Sequence, residues 1–136
     1  TALVKGKASG DATKLAQDSG TQMRIAAARN TIEEMTTVLL ANFDTMMARL
    51  RTGSTISLED RILYRYQAAL VIEKSIEVVD SLFSSAGGSS VFQGSAIQQR
   101  FLDIHTARAH VANNPTAFAR NLGAVALGAE NSDFFV

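Results

Sequence analysis

The sequence predicts an all-α fold: an up-down helical bundle of three long helices and a short C-terminal one. Three observations carry this expectation. The 136 residues contain a single proline, Pro115, which leaves long stretches free to run as helix. Apolar residues recur at steps of three and four, the spacing that lines up side chains on one helical face. No stretch alternates polar and apolar residues in the manner of a half-buried strand.

The elements follow in order. From about Asp11 to Arg51 no proline occurs, and Gly20 is the only internal glycine. Ile25, Ala28, Ile32, Met35, Leu39, Phe43, Met46 and Leu50 form its inner stripe. The stripe fades at Asp18, Ser19 and Gly20, so the first turns are expected to fray. Gly53 is placed to cap the C-terminal end. A second helix starts after Ser57, whose hydroxyl can accept an orphan N–H, with Asp60 three positions on. It runs to about Ser84 with Ile62, Tyr66, Ala69, Ile76, Val79 and Phe83 inward. Leu63, Leu70 and Val78 widen that stripe, which predicts more than one neighbour. AGGSSVFQG (86–94) is too rich in glycine and serine for a helix interior. A third helix is expected from Ser95 to Ala112, with Ile97, Phe101, Ile104, Arg108 and Val111 on one side. Asn114–Pro115 is a strong start for a fourth, closed by Gly128 after Leu127. Residues 1–10 and 129–136 are expected as flexible tails of one domain spanning 1–136.

Composition excludes several functions. Thirteen basic residues balance thirteen acidic ones with no basic stripe, which argues against nucleic acid as a partner. No cysteine is present, so neither a disulfide framework nor a thiolate metal site can form. No apolar run approaches the roughly 18 residues of a membrane span, and no signal peptide is visible. A cytoplasmic setting is the expectation. The chain opens on Thr1, which suggests a processed protein or a piece of a longer one.

Both histidines, His105 and His110, lie in IHTARAHVANNP (104–115). On a continuous helix, five positions separate them by about 140°, so they cannot share a metal ion. On the same ideal helix His105 flanks the apolar stripe, and is read as a partly buried histidine with one hydrogen bond. His110 falls beside Asp103 and Thr106 on a separate polar face. That face either lines a cleft or is simply solvated, and spacing alone leaves both open. No nucleophile-elbow motif is present, and Glu33–Glu34 lacks the Glu-x-x-His partner of a di-iron bundle. AGGSS offers small residues and backbone N–H groups that can approach a phosphate closely, yet it is neither a P-loop nor a dinucleotide fingerprint.

AGGSSVFQGSAIQQRFLDIHTARAHVANNP (86–115) resembles the last long helices of the acyl-CoA dehydrogenase fold. It is more similar to the branch formed by two-component flavin-dependent hydroxylases and monooxygenases. The shared pattern is a small-residue loop, about ten residues, an Arg, then an Asp, then Ala-Arg-x-His. The resemblance covers the chain from about Asp11, and these 30 residues are the specific part.

The resemblance implies that the chain is most of a C-terminal bundle, lacking the bundle's first helix and two upstream domains, and inactive alone. It implies a reduced flavin, FMN or FAD, touched by Gly87, Gly88, Ser89 and Ser90, often across a subunit boundary. It implies that His110 is catalytic, lying over the flavin near the substrate hydroxyl and helping either to ionise a phenol or to steady the oxygenated flavin; no metal is implied. The implied partners are a flavin reductase, a small aromatic substrate and further copies of the chain, commonly as a tetramer. Two departures from the dehydrogenases matter. AHVANN carries no carboxylate where they place a catalytic Glu, and Leu102–Asp103 stands where they have Arg-Asp. Two alternatives remain: a flavin oxidoreductase acting on a CH–CH group of an acyl-CoA, and a helical oligomerisation module.

Overall fold

The computed structural model describes residues 9–91 and 94–136. Among them all regular structure is helical. The helices are α1 (Ser9–Gln17), α2 (Ser19–Arg51), α3 (Leu58–Ser85), α4 (Ala96–Ala107) and α5 (Pro115–Ala126). Short 3-10 turns occupy Gly88–Val91 and Val111–Asn113. The expected tail at 1–10 lies, for residues 1–8, outside the described residues.

Helix ends follow local chemistry. The expected single helix from Asp11 to Arg51 is instead two, and Asp18 is the reason. Its carboxylate accepts the Thr21 N–H at 2.6 Å and its carbonyl accepts the Gln22 N–H at 3.0 Å, which starts α2 afresh. The Thr21 hydrogen bonds hold the Asp18 carboxyl below its ordinary pKa, with Arg24 adding to the effect. Ser57 starts α3 as the sequence predicts. Its Oγ accepts the Asp60 N–H at 3.1 Å and donates to Asp60 Oδ2 at 2.6 Å. Asn114 Oδ1 accepts the Thr116 N–H at 3.1 Å, with Pro115 in the first turn of α5. Gly53 and Gly128 close α2 and α5 in the left-handed region, at φ 71° and 93°. In each case the next residue donates back to the helix: Ser54 to the Arg49 carbonyl, Ala129 to the Ala124 carbonyl.

The chain divides into two compact units: residues up to Glu33 with Lys74–Ala107, and Glu34–Glu73 with Arg108–Val136. In the first unit Ala28, Ile76 and Ala86 are buried. The Phe83 and Phe101 rings lie 4.6 Å apart, and Phe101 continues onto His105 at 4.3 Å. In the second unit Ile62, Ala69 and Phe118 are buried, and the Arg65 guanidinium sits 4.3 Å over the Phe118 ring. The predicted stripe of α3 is covered in both units, including Leu63, Leu70 and Val78.

The predicted stripe of α2 is only half right. Ile25, Ala28, Met35, Leu39 and Met46 are covered, but Ile32, Phe43 and Leu50 are more than half exposed. The covered line passes instead through Thr31, Asn42 and Arg49. Two of these polar residues have partners in the second unit: Asn42 donates to Gln67 Oε1 at 2.7 Å, and Arg49 pairs with Asp60 at 2.7 Å. Hydrogen bonds let polar side chains occupy covered positions that an apolar count assigns elsewhere.

The C-terminal residues have fixed partners. Asn121, buried on α5, donates to Asn131 Oδ1 at 2.8 Å and accepts from the Ser132 N–H and hydroxyl at 2.8 and 3.0 Å. Phe134 and Phe135 beyond them are exposed.

Candidate functional site

The two stretches singled out by sequence fall in different units. The first follows α3. Gly87 stands just past the helix end at φ 70°, a conformation only glycine adopts without strain. The chain then turns through Gly88–Val91. The Ser90 hydroxyl donates to the Gly87 carbonyl at 2.6 Å, the Ser90 N–H donates to the same oxygen at 3.0 Å, and the Ser90 side chain is buried. Ser90 therefore braces the loop from inside. Gly87 and Gly88 face outward, and a Cβ added at Gly88 would meet open space. The backbone of Ser89 belongs to this turn, but its side chain lies outside the described residues.

The second stretch corrects the sequence reading. The third helix does not reach Ala112; α4 ends at Ala107, and residues 108–110 turn away from helical geometry. His110 is extended, at φ −73° and ψ 132°. Its Nδ1 accepts the Ala112 N–H at 3.1 Å, and its carbonyl accepts the Asn113 N–H at 2.9 Å. Both features start the turn Val111–Asn113. Pro115 adds to the break, since the residue before a proline is driven out of the helical region, and Asn114 is extended at ψ 103°.

The placement of His110 beside Asp103 and Thr106 on one helical face therefore fails. Asp103 instead takes the Gln99 amide at 2.7 Å and pairs with Arg100 at 3.6 Å. Thr106 donates to the Leu102 carbonyl. The 140° argument against a shared metal loses its basis for the same reason. Among the described residues no group of three or more His, Asp or Glu side chains could hold a metal ion.

His110 is exposed and its imidazole is oriented. An Nδ1 that accepts the Ala112 N–H is unprotonated, so the ring carries its proton on Nε2 and presents an N–H donor. His105 is partly buried with one hydrogen bond, as the sequence predicts: its Nε2 lies 2.9 Å from Asp80 Oδ1 and the side chain is 35% exposed.

One contact had no sequence signal. Arg108, expected on the inner stripe, pairs through Nη2 with Glu73 Oε1 at 3.1 Å. With Asn114, Pro115 and Thr116 they line a polar cleft of about 250 Å³. Val111, the other misplaced stripe residue, is 77% exposed. No helix among the described residues is long and apolar enough to cross a membrane.

The class these observations define is structural: among the described residues an all-α chain, with a small-residue loop after α3 and a histidine presented on a turn after α4. The comparisons with known proteins give the family. Residues 1–115 match the family described as acyl-CoA dehydrogenase, C-terminal domain, and the chain belongs to that family. The chain is 29% identical over 102 residues to the oxygenase subunit HsaA of a flavin-dependent monooxygenase from Rhodococcus jostii, covering 75% of this chain and 27% of that one. It is 24% identical over 132 residues to the oxygenase component of an FADH2-dependent resorcinol hydroxylase from a Rhizobium species, covering 94% of this chain and 32% of that one. The crystal structure of a 3-HSA hydroxylase from a Rhodococcus species superposes with a TM-score of 0.88 at 26% identity, over 99% of this chain and 35% of that one. The chain thus spans about a third or less of the length of the relatives it matches. The expected all-α fold, as the C-terminal part of an acyl-CoA dehydrogenase-like protein, stands.

Proposed function

We propose that this chain is the C-terminal helical part of the oxygenase component of a two-component flavin-dependent monooxygenase. In this reading the complete protein hydroxylates a small aromatic or related ring compound with reduced flavin and O2. A separate reductase supplies the flavin, and the protein works in the cytoplasm as a homo-oligomer, with four copies as the expected number. The likeness to monooxygenase oxygenase components over nearly the whole chain supports it most strongly.

The residues fit a flat cofactor approached by backbone. Gly87 and Gly88 present an exposed surface without side chains, and the Ser90 hydroxyl is turned inward, so contact at the two glycines is made by main chain. Reduced flavin, when bound, supplies the two electrons that activate O2 for transfer of one oxygen atom to the ring. His110 acts at the substrate oxygen. With Nδ1 held by Ala112, its Nε2–H donates a hydrogen bond and stabilises negative charge on a phenolic oxygen. Taking up the phenol proton at Nε2 requires the other tautomer and gives up the Ala112 bond. The oriented ring is therefore a donor first and a base second. The dehydrogenase reading lacks its base, because residues 109–114 contain no carboxylate.

The test is His110→Ala in the complete polypeptide. Hydroxylated product per unit time is expected to fall by about 10²- to 10⁴-fold, with reduced-flavin affinity within a few-fold of the parent. Unchanged product formation refutes the role of His110. Rapid reduction of bound oxidised flavin by an acyl-CoA would replace the monooxygenase reading altogether.

A further inference from the structure

Glu73 and Arg108 belong to the second unit, as do His110 and α5. Arg108 is the first residue past α4, where the chain leaves helical geometry, and it stands two residues before His110. Two residues of chain span about 7 Å at most, so a hold on Arg108 limits where His110 can stand. That hold exists: Arg108 Nη2 donates to Glu73 Oε1 at 3.1 Å. Glu73 lies within α3, a helix of 28 residues, so the turn is tied to a regular element and not to another loop. Past His110 the chain is tied again. The imidazole Nδ1 takes the Ala112 N–H, and Asn114 Oδ1 takes the Thr116 N–H to start α5.

Stability does not account for the upstream tie. The Arg108 and Glu73 side chains are 55% and 32% exposed, and an ion pair that open to water adds little to folding. Glu73 also carries a penalty. Its Oε2 is buried with no hydrogen-bond partner among the described residues, and a polar atom left in that state opposes folding. Leu70 and Ile76, three positions to either side on α3, are apolar, and an apolar residue at 73 would avoid the penalty. What a carboxylate supplies there, and an apolar side chain does not, is a directed bond to Arg108.

We propose that Glu73 and Arg108 are positioning residues for His110, holding its turn so that the Nε2–H stays aimed at the substrate oxygen. The inference rests on the role proposed above for His110. With Arg108 released, the ring keeps its bond to Ala112, but that bond moves with the turn. A displacement of about 1 Å in a reacting group lowers a rate by up to about 10²-fold. A loosened turn, still tied at Asn114, is expected to lose about tenfold.

The test uses the complete polypeptide. Arg108→Met keeps most of the stem and removes the charge. Its kcat for hydroxylation is expected to fall about tenfold, with KM and reduced-flavin affinity within about twofold of the parent, since orientation acts on the chemical step. Glu73→Leu should do the same, and the two together should be no worse than either alone, because a single interaction is lost. Arg108→Lys keeps a cationic donor and should recover most of the loss. In a His110→Ala background Arg108→Met should cost nothing further. A second tenfold loss in that background, or a loss in KM or flavin affinity in place of kcat, would overturn the proposal. So would parental turnover in Arg108→Met and Glu73→Leu while His110→Ala keeps its own loss, and the role of His110 would then survive. Parental turnover in His110→Ala would instead overturn that role, and the positioning pair with it.

Discussion

The segments after α3 and after α4 solve the same problem in opposite ways. Each leaves a helix, makes a short 3-10 turn and leads into the next helix. In residues 86–91 Ser90 turns inward: its side chain is buried and its hydroxyl closes on the Gly87 carbonyl. In residues 108–114 the polar side chain turns outward: His110 caps the turn with one nitrogen and exposes the rest of the ring. In the first segment Ser90 spends its hydroxyl and its N–H on the shape of the loop. The second keeps a donor in reserve. Glycines beside an inward-turned serine can touch a ligand only through main chain, whereas an oriented, half-used imidazole can take part in chemistry.

Substitutions in the first segment should therefore act on stability, and the largest effect belongs to Gly87. Gly87→Ala forces a Cβ into a left-handed conformation and is expected to cost about 1–2 kcal/mol in urea unfolding. Gly88→Ala, with open space at its Cβ and no positive φ, should stay within about 0.5 kcal/mol. Equal costs at the two glycines would break the assignment of Gly87 as the cap. Ser90→Ala is expected to cost about 1 kcal/mol, because the Gly87 carbonyl keeps the Ser90 N–H when the hydroxyl is lost.

The second segment separates the two roles. Asn114→Ala removes the side-chain cap of α5 and should cost about 1 kcal/mol. His110→Ala gives up one exposed capping bond, and about 0.5 kcal/mol is the expected cost by the same measurement. Set against the large loss of hydroxylation predicted for that variant, the small cost would show that His110 serves chemistry more than folding. A His110→Ala cost well above that of Asn114→Ala would reverse this reading and leave the two segments alike.

What sequence could and could not reveal follows the range of the interactions. Ser57, Asn114, Gly53 and Gly128 were legible because a cap depends on residues within one turn of itself. The predicted stripe of α3 was legible because its apolar residues recur at helical spacing along the whole helix. The early end of α4 was not, since nothing between Ala107 and Asn114 forbids helix by propensity. The break rests on the His110 side chain acting as a cap, and Arg108 there pairs with Glu73, 35 positions away. A helical wheel drawn through that break put His110 beside Asp103 and Val111 inside, and both placements failed together. The α2 stripe erred in a related way, because counting apolar residues passes over Asn42 and Arg49, which are covered by virtue of their partners. The loop glycines could be read as small, but GGSS does not say that Ser90 faces inward.

The smallest predicted effect tests whether a cap on α3 behaves as the inward-turned loop does, with its polar groups committed to one another. Asp60 is held below the ordinary aspartate pKa, chiefly by the Ser57 hydroxyl and secondarily by the Arg49 charge. A carboxyl whose folded pKa is depressed releases its proton more readily in the folded chain than in the unfolded one. Its contribution is therefore complete above the ordinary aspartate value of about 4 and is lost as pH falls through the folded value. Ser57→Ala removes the main cause, so the variant should lose less stability than the parent between about pH 5 and pH 2, in melts recorded side by side. Asp18 titrates in the same direction in both chains and cancels from the difference. Parallel curves for parent and variant would mean that the Ser57–Asp60 bond does not persist in solution, and that α3 begins on backbone alone.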